Sequence, residues 1–178
     1  MKKYHQLFLP LLVFTAVFSL GACSSMPGTG KGDLAPDFKL KDIYAQSQQL
    51  SDYRGKVVLL HFWTDWCNAC RAEFPRIQDY YAELESDDFE IIAVNVGQPM
   101  AVSLDFKQSF GITFQMLTDV EKAVGELYQV EAYPTNYFID PEGKIIKKYI
   151  GWVDKKQVSV IINQHKNTQK ITEKKATL

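Results

Sequence analysis

The sequence predicts an α/β domain built on a central mixed β-sheet with helices on both faces. Three observations carry this reading. Residues 57–62 (VVLLHF) and 90–96 (EIIAVNV) are almost continuously apolar and rich in β-branched side chains, as strands buried on both faces are. Stretches with helical apolar spacing alternate with them. Near the C-terminus, residues 136–139 and 145–150 flank Asp140-Pro141-Glu142-Gly143, a turn sequence that joins two strands into an antiparallel hairpin. The chain has 178 residues, 46% hydrophobic and 23% charged, which suits one folded domain with a short appendage.

Taken in order, residues 57–62 form the first buried strand. In residues 72–84, Phe74, Ile77, Tyr80, Tyr81 and Leu84 recur every three or four positions, which predicts a helix. Pro75 should kink it, because proline lacks an N–H and crowds the preceding turn. Residues 90–96 are the second strand. Residues 100–110 read as a helix that ends at Gly111, and residues 114–117 as a strand. Asp119 can cap a helix over 120–128. The hairpin follows, then a closing helix over 154–165 and a polar, Lys-rich tail over 166–178.

Residues 1–22 read as a signal peptide. Lys2 and Lys3 form its basic start, and residues 7–20 its apolar core, interrupted only by Pro10, Thr15 and Ser19. A spanning helix needs about 20 apolar residues, so this run is short for an anchor. Leu20-Gly21-Ala22-Cys23 resembles a bacterial lipobox, which would make Cys23 the lipidated first residue of the mature chain. Residues 24–33 (SSMPGTGKGD) complete a tether over 23–33, with a reach of roughly 17 Å. The folded domain is expected over 34–165. The protein would then work outside the cytoplasm, held to the membrane by a two-chain lipid, in a compartment where disulfides persist.

Net charge is −1; without Lys2 and Lys3 the mature chain carries 18 basic against 21 acidic residues, a net of −3. No nucleic-acid partner is expected from that balance. Three cysteines are too few for a disulfide scaffold, and no metal or other cofactor is expected.

The chemistry concentrates in Trp66-Cys67-Asn68-Ala69-Cys70, where a buried strand gives way to a helix. At i, i+3 spacing on a helical turn, two sulfurs lie close enough to bridge. Cys67, at the helix start, sits in the positive end of the helix dipole, which stabilises a thiolate. Cys70, one turn in, is more shielded and suits a resolving thiol. Zinc would need two more ligands, and only His61 and His165 remain in the mature chain, neither in a knuckle spacing. A purely structural bridge over so short a loop would constrain little chain entropy. A peroxidatic cysteine is a third alternative: Thr64 stands three residues before Cys67, but Leu60 occupies the place where peroxiredoxins carry proline. A non-catalytic module that binds Cu(I) through the dithiol is a fourth.

The run Gly55–Trp63 (GKVVLLHFW), then Trp66–Pro75 (WCNACRAEFP), resembles the thioredoxin-like thiol–disulfide oxidoreductases of the TlpA/ResA type. So do Ala35-Pro36-Asp37-Phe38 with Leu50-Ser51-Asp52, Tyr133-Pro134-Thr135, and Ile139–Gly143 (IDPEG). The resemblance covers about residues 34–165. It implies a thioredoxin fold with an N-terminal β extension, and a monomer that reduces disulfides in exported proteins. Substrates of the family are oxidised apocytochrome c and, in some bacteria, methionine sulfoxide reductases; electrons come from a CcdA- or DsbD-like membrane protein. A net oxidant or isomerase is the alternative, since direction depends on potential and electron supply.

The resemblance also assigns roles. Pro134 matches the cis-proline that faces the dithiol, with Tyr133 offering backbone groups to an extended substrate. Trp66 would present a flat surface to substrate beside Cys67, and Trp63 would pack near the thiol. Glu73 shares the Cys70 face of the helix, where relatives carry a glutamate that tunes the thiols; a solvated first-turn acid is the alternative. His61 stands where thioredoxins carry a buried acid. It is either a core histidine satisfied by backbone or a neutral base near Cys70. Two departures stand out. Ala69 replaces the usual proline before the second cysteine, and Gly97-Gln98 lacks the acid that many relatives have there.

Overall fold

All seven residues of the run at 57–63 are buried, so this strand must have a neighbour on each edge and a layer on each face. The computed structural model, which describes residues 28–84 and 88–176, supplies both. In chain order the elements are β1 (Lys39–Asp42), β2 (Ser47–Gln49), a 3-10 turn (Leu50–Tyr53), β3 (Val57–Trp63), α1 (Asn68–Glu83), β4 (Phe89–Val96) and α2 (Met100–Phe110). There follow β5 (Gln115–Asp119), α3 (Ala123–Leu127), β6 (Thr135–Ile139), β7 (Ile145–Ile150) and α4 (Lys155–Ala176). They make one seven-stranded sheet in the order β2-β1-β5-β4-β3-β6-β7. Strands β3, β4 and β5 run parallel, and the rest pair antiparallel. This is the expected mixed α/β sheet, with β1 and β2 as its N-terminal extension.

Alternation along β3 divides the interior. Val57, Leu59 and Trp63 pack with Phe74 and Ile77 of α1 and with residues of α2 and α4. Val58, Leu60 and Phe62 pack on the opposite face with Leu50, Val124 of α3, Tyr128 and Tyr137. The central parallel strands all end at the same edge, so the turn after β3 lies outside their carboxyl ends, where open α/β sheets hold their sites.

Three helices differ in extent from their apolar patterns, beyond shifts of one or two residues at strand ends. Helix α1 begins at Asn68, ahead of the apolar pattern, because Cys67 caps it, and it runs through Pro75 to Glu83. The helix expected over 120–128 shortens to five residues, since Lys122 turns back on Asp119 with φ 63°; Asp119 still accepts from Gly125 N at 2.8 Å. The closing helix extends through Ala176, into the stretch read as a tail. The chain first bonds to the sheet at Gly32, whose N–H donates to Ile145 O at 2.8 Å. The stretch expected to be a signal peptide, 1–22, and the expected lipidation site Cys23 lie outside the described residues. Among the described residues no helix is long and apolar enough to cross a membrane.

Candidate active site

Three residues, Thr64–Trp66, separate the buried strand β3 from the cap of α1. Cys67 occupies that cap in extended backbone geometry (φ −78°, ψ 103°), and its Sγ accepts the Cys70 N–H at 3.1 Å. The sulfur therefore stands in for the usual hydroxyl or carboxylate of an N-cap. Cys67 and Cys70 are joined as a disulfide with Cα atoms 5.2 Å apart. Both cysteines are buried, but Cys67 keeps 7% exposure where Cys70 keeps none, so Cys67 is the more accessible of the two.

Trp66, 67% exposed, and Tyr133 make an edge-to-face pair at 5.7 Å beside the cap. The Tyr133–Pro134 peptide is cis, as the resemblance implies. Pro134 O accepts from Gly151 N at 2.8 Å, which ties its loop to the end of β7. Trp63 is a core residue, wedged between Phe74 and Phe106 at 4.8 and 4.4 Å.

Two titratable groups lie on the inner side. Glu73 lies in the second turn of α1 rather than the first, and it is 1% exposed rather than solvated. Its Oε1 accepts Val153 N at 2.9 Å, and Oε2 has no hydrogen-bond partner among the described residues. Burial pushes its carboxyl up to about 7, against the pull of the Val153 N–H and the Arg76 guanidinium. His61 is fully buried, edge-on to Phe74 at 5.2 Å. It is satisfied by a side chain rather than by backbone: its Nδ1 lies 2.7 Å from Asn136 Oδ1. Asn136 Nδ2 donates to Gly151 O at 2.9 Å, which fixes the amide orientation. The Nδ1 must then carry the hydrogen, and Nε2, unpartnered, presents a bare lone pair. Burial drives the imidazole down to about 4, so it is neutral at pH 7.

The structure thus gathers Cys67, Cys70, Glu73, Trp66, Tyr133 and Pro134 around one helix start, with His61 on the layer beneath α1. Asn136, Val153, Asp65 and Gln98 join them without having been singled out as partners. Asn136 faces His61 only because β3 and β6 pair in that register. Gln98, where the acid is missing, bonds Asp65 just ahead of the dithiol. Such a site can exchange a dithiol for a disulfide: one sulfur is reachable, the second is one turn behind it, and proton acceptors are buried close to α1.

Residues 31–148 match the AhpC/TSA family. The chain is 32% identical over 170 residues to the thiol-disulfide oxidoreductase ResA of Bacillus subtilis (strain 168), covering 92% of this chain and 95% of that protein. Among solved structures it is similar to the exposed lipoprotein thioredoxin Etrx1 of Streptococcus pneumoniae strain TIGR4, at 32% identity and a TM-score of 0.60, over 72% of this chain and 99% of that one. StoA from Bacillus subtilis matches at 28% identity and a TM-score of 0.61, over 70% and 94%. The chain belongs to the AhpC/TSA family, and within it is a thioredoxin-fold thiol–disulfide oxidoreductase of the ResA type.

Proposed function

We propose that the protein is a lipid-anchored, extracytoplasmic reductase of disulfides in exported proteins. The observation that carries this is the asymmetric dithiol: Cys67 caps α1 and retains 7% exposure, while Cys70 and Glu73, one and two turns on, retain 0% and 1%. In the reduced protein the Cys67 thiolate attacks one sulfur of a substrate disulfide. A Cys67–substrate bond forms, and the other substrate sulfur leaves as a thiolate that takes a proton. Cys70, its proton passed to Glu73, then attacks Cys67 Sγ and releases the second substrate thiol. Two electrons pass to the substrate, and the protein is left with the Cys67–Cys70 disulfide.

Trp66, next to Cys67 in the chain, pairs with Tyr133 of the cis-proline loop, which suits the two to hold an extended substrate chain. Apocytochrome c and methionine sulfoxide reductases are the substrate classes that the family resemblance favours, with a CcdA- or DsbD-like membrane donor restoring the dithiol. The signal peptide over 1–22, lipidation at Cys23 and the tether over 23–33 would keep the domain at the membrane surface. That a pneumococcal relative is described as an exposed lipoprotein supports this location. Cys23→Ala should release the protein from membrane fractions or leave its precursor unprocessed; unchanged retention and processing would refute the anchor.

An oxidant is the second reading, favoured by the Cys70 N–H on Cys67 Sγ. That bond stabilises the thiolate, hence the reduced form, and makes the couple more oxidising. Burial and the Glu73 carboxyl act in the other direction. A dithiothreitol titration decides between them: a potential below about −230 mV supports the reductase, and one above roughly −150 mV establishes the oxidant. Cys70→Ala expressed in cells should accumulate a mixed disulfide through Cys67, whose partner is the physiological substrate.

A further inference from the structure

Gln98 lies on the turn after β4, remote in sequence from the dithiol, yet its amide makes three hydrogen bonds beside it. Its Oε1 accepts Asp65 N at 3.0 Å and Asn95 Nδ2 at 2.8 Å, and its Nε2 donates to Asp65 Oδ1 at 2.5 Å. Asp65 is thus gripped through its backbone and its side chain by one amide. Asn95 is fully buried, pairs with Trp63 across the parallel strands, and anchors the grip to the sheet. Gly97 makes the approach possible. Its φ is 73°, in the left-handed region that glycine adopts without strain.

The held segment is short. Cys67 N donates to Thr64 O at 3.3 Å, closing the turn around Asp65, and Arg71 Nη1 reaches Asp65 O at 3.5 Å. Where Asp65 goes, the cap of α1 goes with it. The chemistry of the pair is specific. Two N–H donors converge on one oxygen of residue 98, and its other arm must donate to a carboxylate. An amide meets both demands. A glutamate would accept the two N–H groups but turn an oxygen toward Asp65 Oδ1.

We propose that Gln98 is a positioning residue for the dithiol, which through Asp65 holds the strand-to-helix turn so that Cys67 Sγ receives the Cys70 N–H. This rests on the reading of Cys67 as the attacking thiol. Loosening the turn weakens the cap bond to sulfur, so the Cys67 thiolate is less stabilised and the disulfide becomes harder to reduce.

The test is a set of substitutions in the full chain. The readouts are the iodoacetamide alkylation rate of reduced Cys67 at pH 7.5, followed by mass spectrometry, and the disulfide equilibrium with dithiothreitol. Gln98→Glu sets two carboxylates against each other. It should slow alkylation by about fivefold and shift the equilibrium toward the disulfide by a similar factor, as expected when the net contribution of one typical hydrogen bond is lost. Gln98→Met, which drops the bonds without adding charge, should move both readouts with the same sign. Asp65→Asn keeps an oxygen for Gln98 Nε2 and should stay within about twofold of the parent, well short of the loss of a full bond. The exchange Asp65→Asn with Gln98→Glu restores donor against acceptor and should recover both values.

A shift in Gln98→Glu that the exchange does not recover would overturn the proposal. So would Asp65→Asn moving the readouts as far as Gln98→Glu, which would assign the effect to charge. A lower melting temperature with unchanged rate and equilibrium would reduce Gln98 to a structural residue. These outcomes are separate from failure of the attacking-thiol reading, which would show as disulfide reduction surviving Cys67→Ser.

Discussion

Strand β3 separates two interiors that treat their polar atoms in opposite ways. On the face of Val58, Leu60 and Phe62, the buried hydroxyls end on main-chain carbonyls: Tyr128 Oη donates to Pro36 O at 2.6 Å and Tyr137 Oη to Tyr128 O at 2.5 Å. On the face that packs α1, His61 Nε2, Trp63 Nε1 and Glu73 Oε2 are buried with no partner among the described residues. An unpartnered buried polar atom costs about 1–3 kcal/mol, so the two layers are not equivalent pieces of core. The first fastens β6, α3 and the N-terminal extension together. The second holds two groups whose proton affinities are displaced in opposite directions, Glu73 up and His61 down, under a helix that starts with a dithiol. Both faces bury apolar side chains, but the displaced proton affinities lie on the α1 side alone.

The hardest blow to this contrast is a large truncation on the structural face. Tyr137→Ala should lower unfolding free energy by about 3–5 kcal/mol, since it empties a fully buried aromatic site. If the two faces are as separate as proposed, the dithiothreitol equilibrium of the folded fraction stays unchanged. A shifted equilibrium would show that the tyrosine layer also serves the site.

A second test sets the two titratable groups against each other. With its carboxyl raised from 4.5 to about 7, Glu73 keeps in the folded state a proton that the unfolded chain has lost. Its stabilising contribution is present below pH 4.5 and is lost as pH rises to 7. Glu73→Gln, which keeps an acceptor for Val153 N, should therefore be more stable than the parent above pH 7, by about 2–3 kcal/mol, with the gain vanishing near pH 4.5. His61, lowered from 6.5 to about 4, works in reverse: its contribution is present above pH 6.5 and lost as pH falls to 4. His61→Asn should flatten that acid limb by about 2–3 kcal/mol. Urea melts across pH 4–8 read both slopes, and parallel curves for parent and variants would show that neither group is displaced.

The smallest expected effect sharpens the other side. Tyr128→Phe leaves Pro36 O without its donor and should cost about 1–2 kcal/mol. The loss should be the same at pH 5 and pH 8, because the phenol is neutral at both, its proton affinity raised still further by burial. A pH-dependent loss would mean that this layer too is linked to a titrating group.

Much of the fold was legible because it rests on local signals. The apolar run at 57–62 became Val57–Trp63, and the helix at 100–110 has those bounds, closed by Gly111 in the left-handed conformation. The hairpin around Asp140–Gly143 formed as its turn residues dictate. Strands β1 and β2 gave no such signal. Their residues, KLKD and SQQ, are polar apart from Leu40, because β2 is an edge and both strands are partly exposed. Only the resemblance pointed to a β extension there.

At the site, spacing alone determined that Cys67 and Cys70 could bridge at a helix start, since four residues of one turn cannot separate their sulfurs widely. The sequence also brought Glu73 onto the Cys70 face through helical periodicity. It could not decide whether that acid was solvated, because the answer lies with Val153, 80 residues away. Nor could it find Asn136 for His61, 75 residues apart, or Gln98 for Asp65, 33 apart. Each of these pairs depends on strand register and on how a loop closes over α1. A shift of one residue in the β3–β6 pairing would turn Asn136 to the opposite face of the sheet. Local chemistry therefore specified the reactive pair, while the tertiary structure alone decided what surrounds it, because hydrogen bonds between distant segments exist only once the packing has brought donor and acceptor within reach.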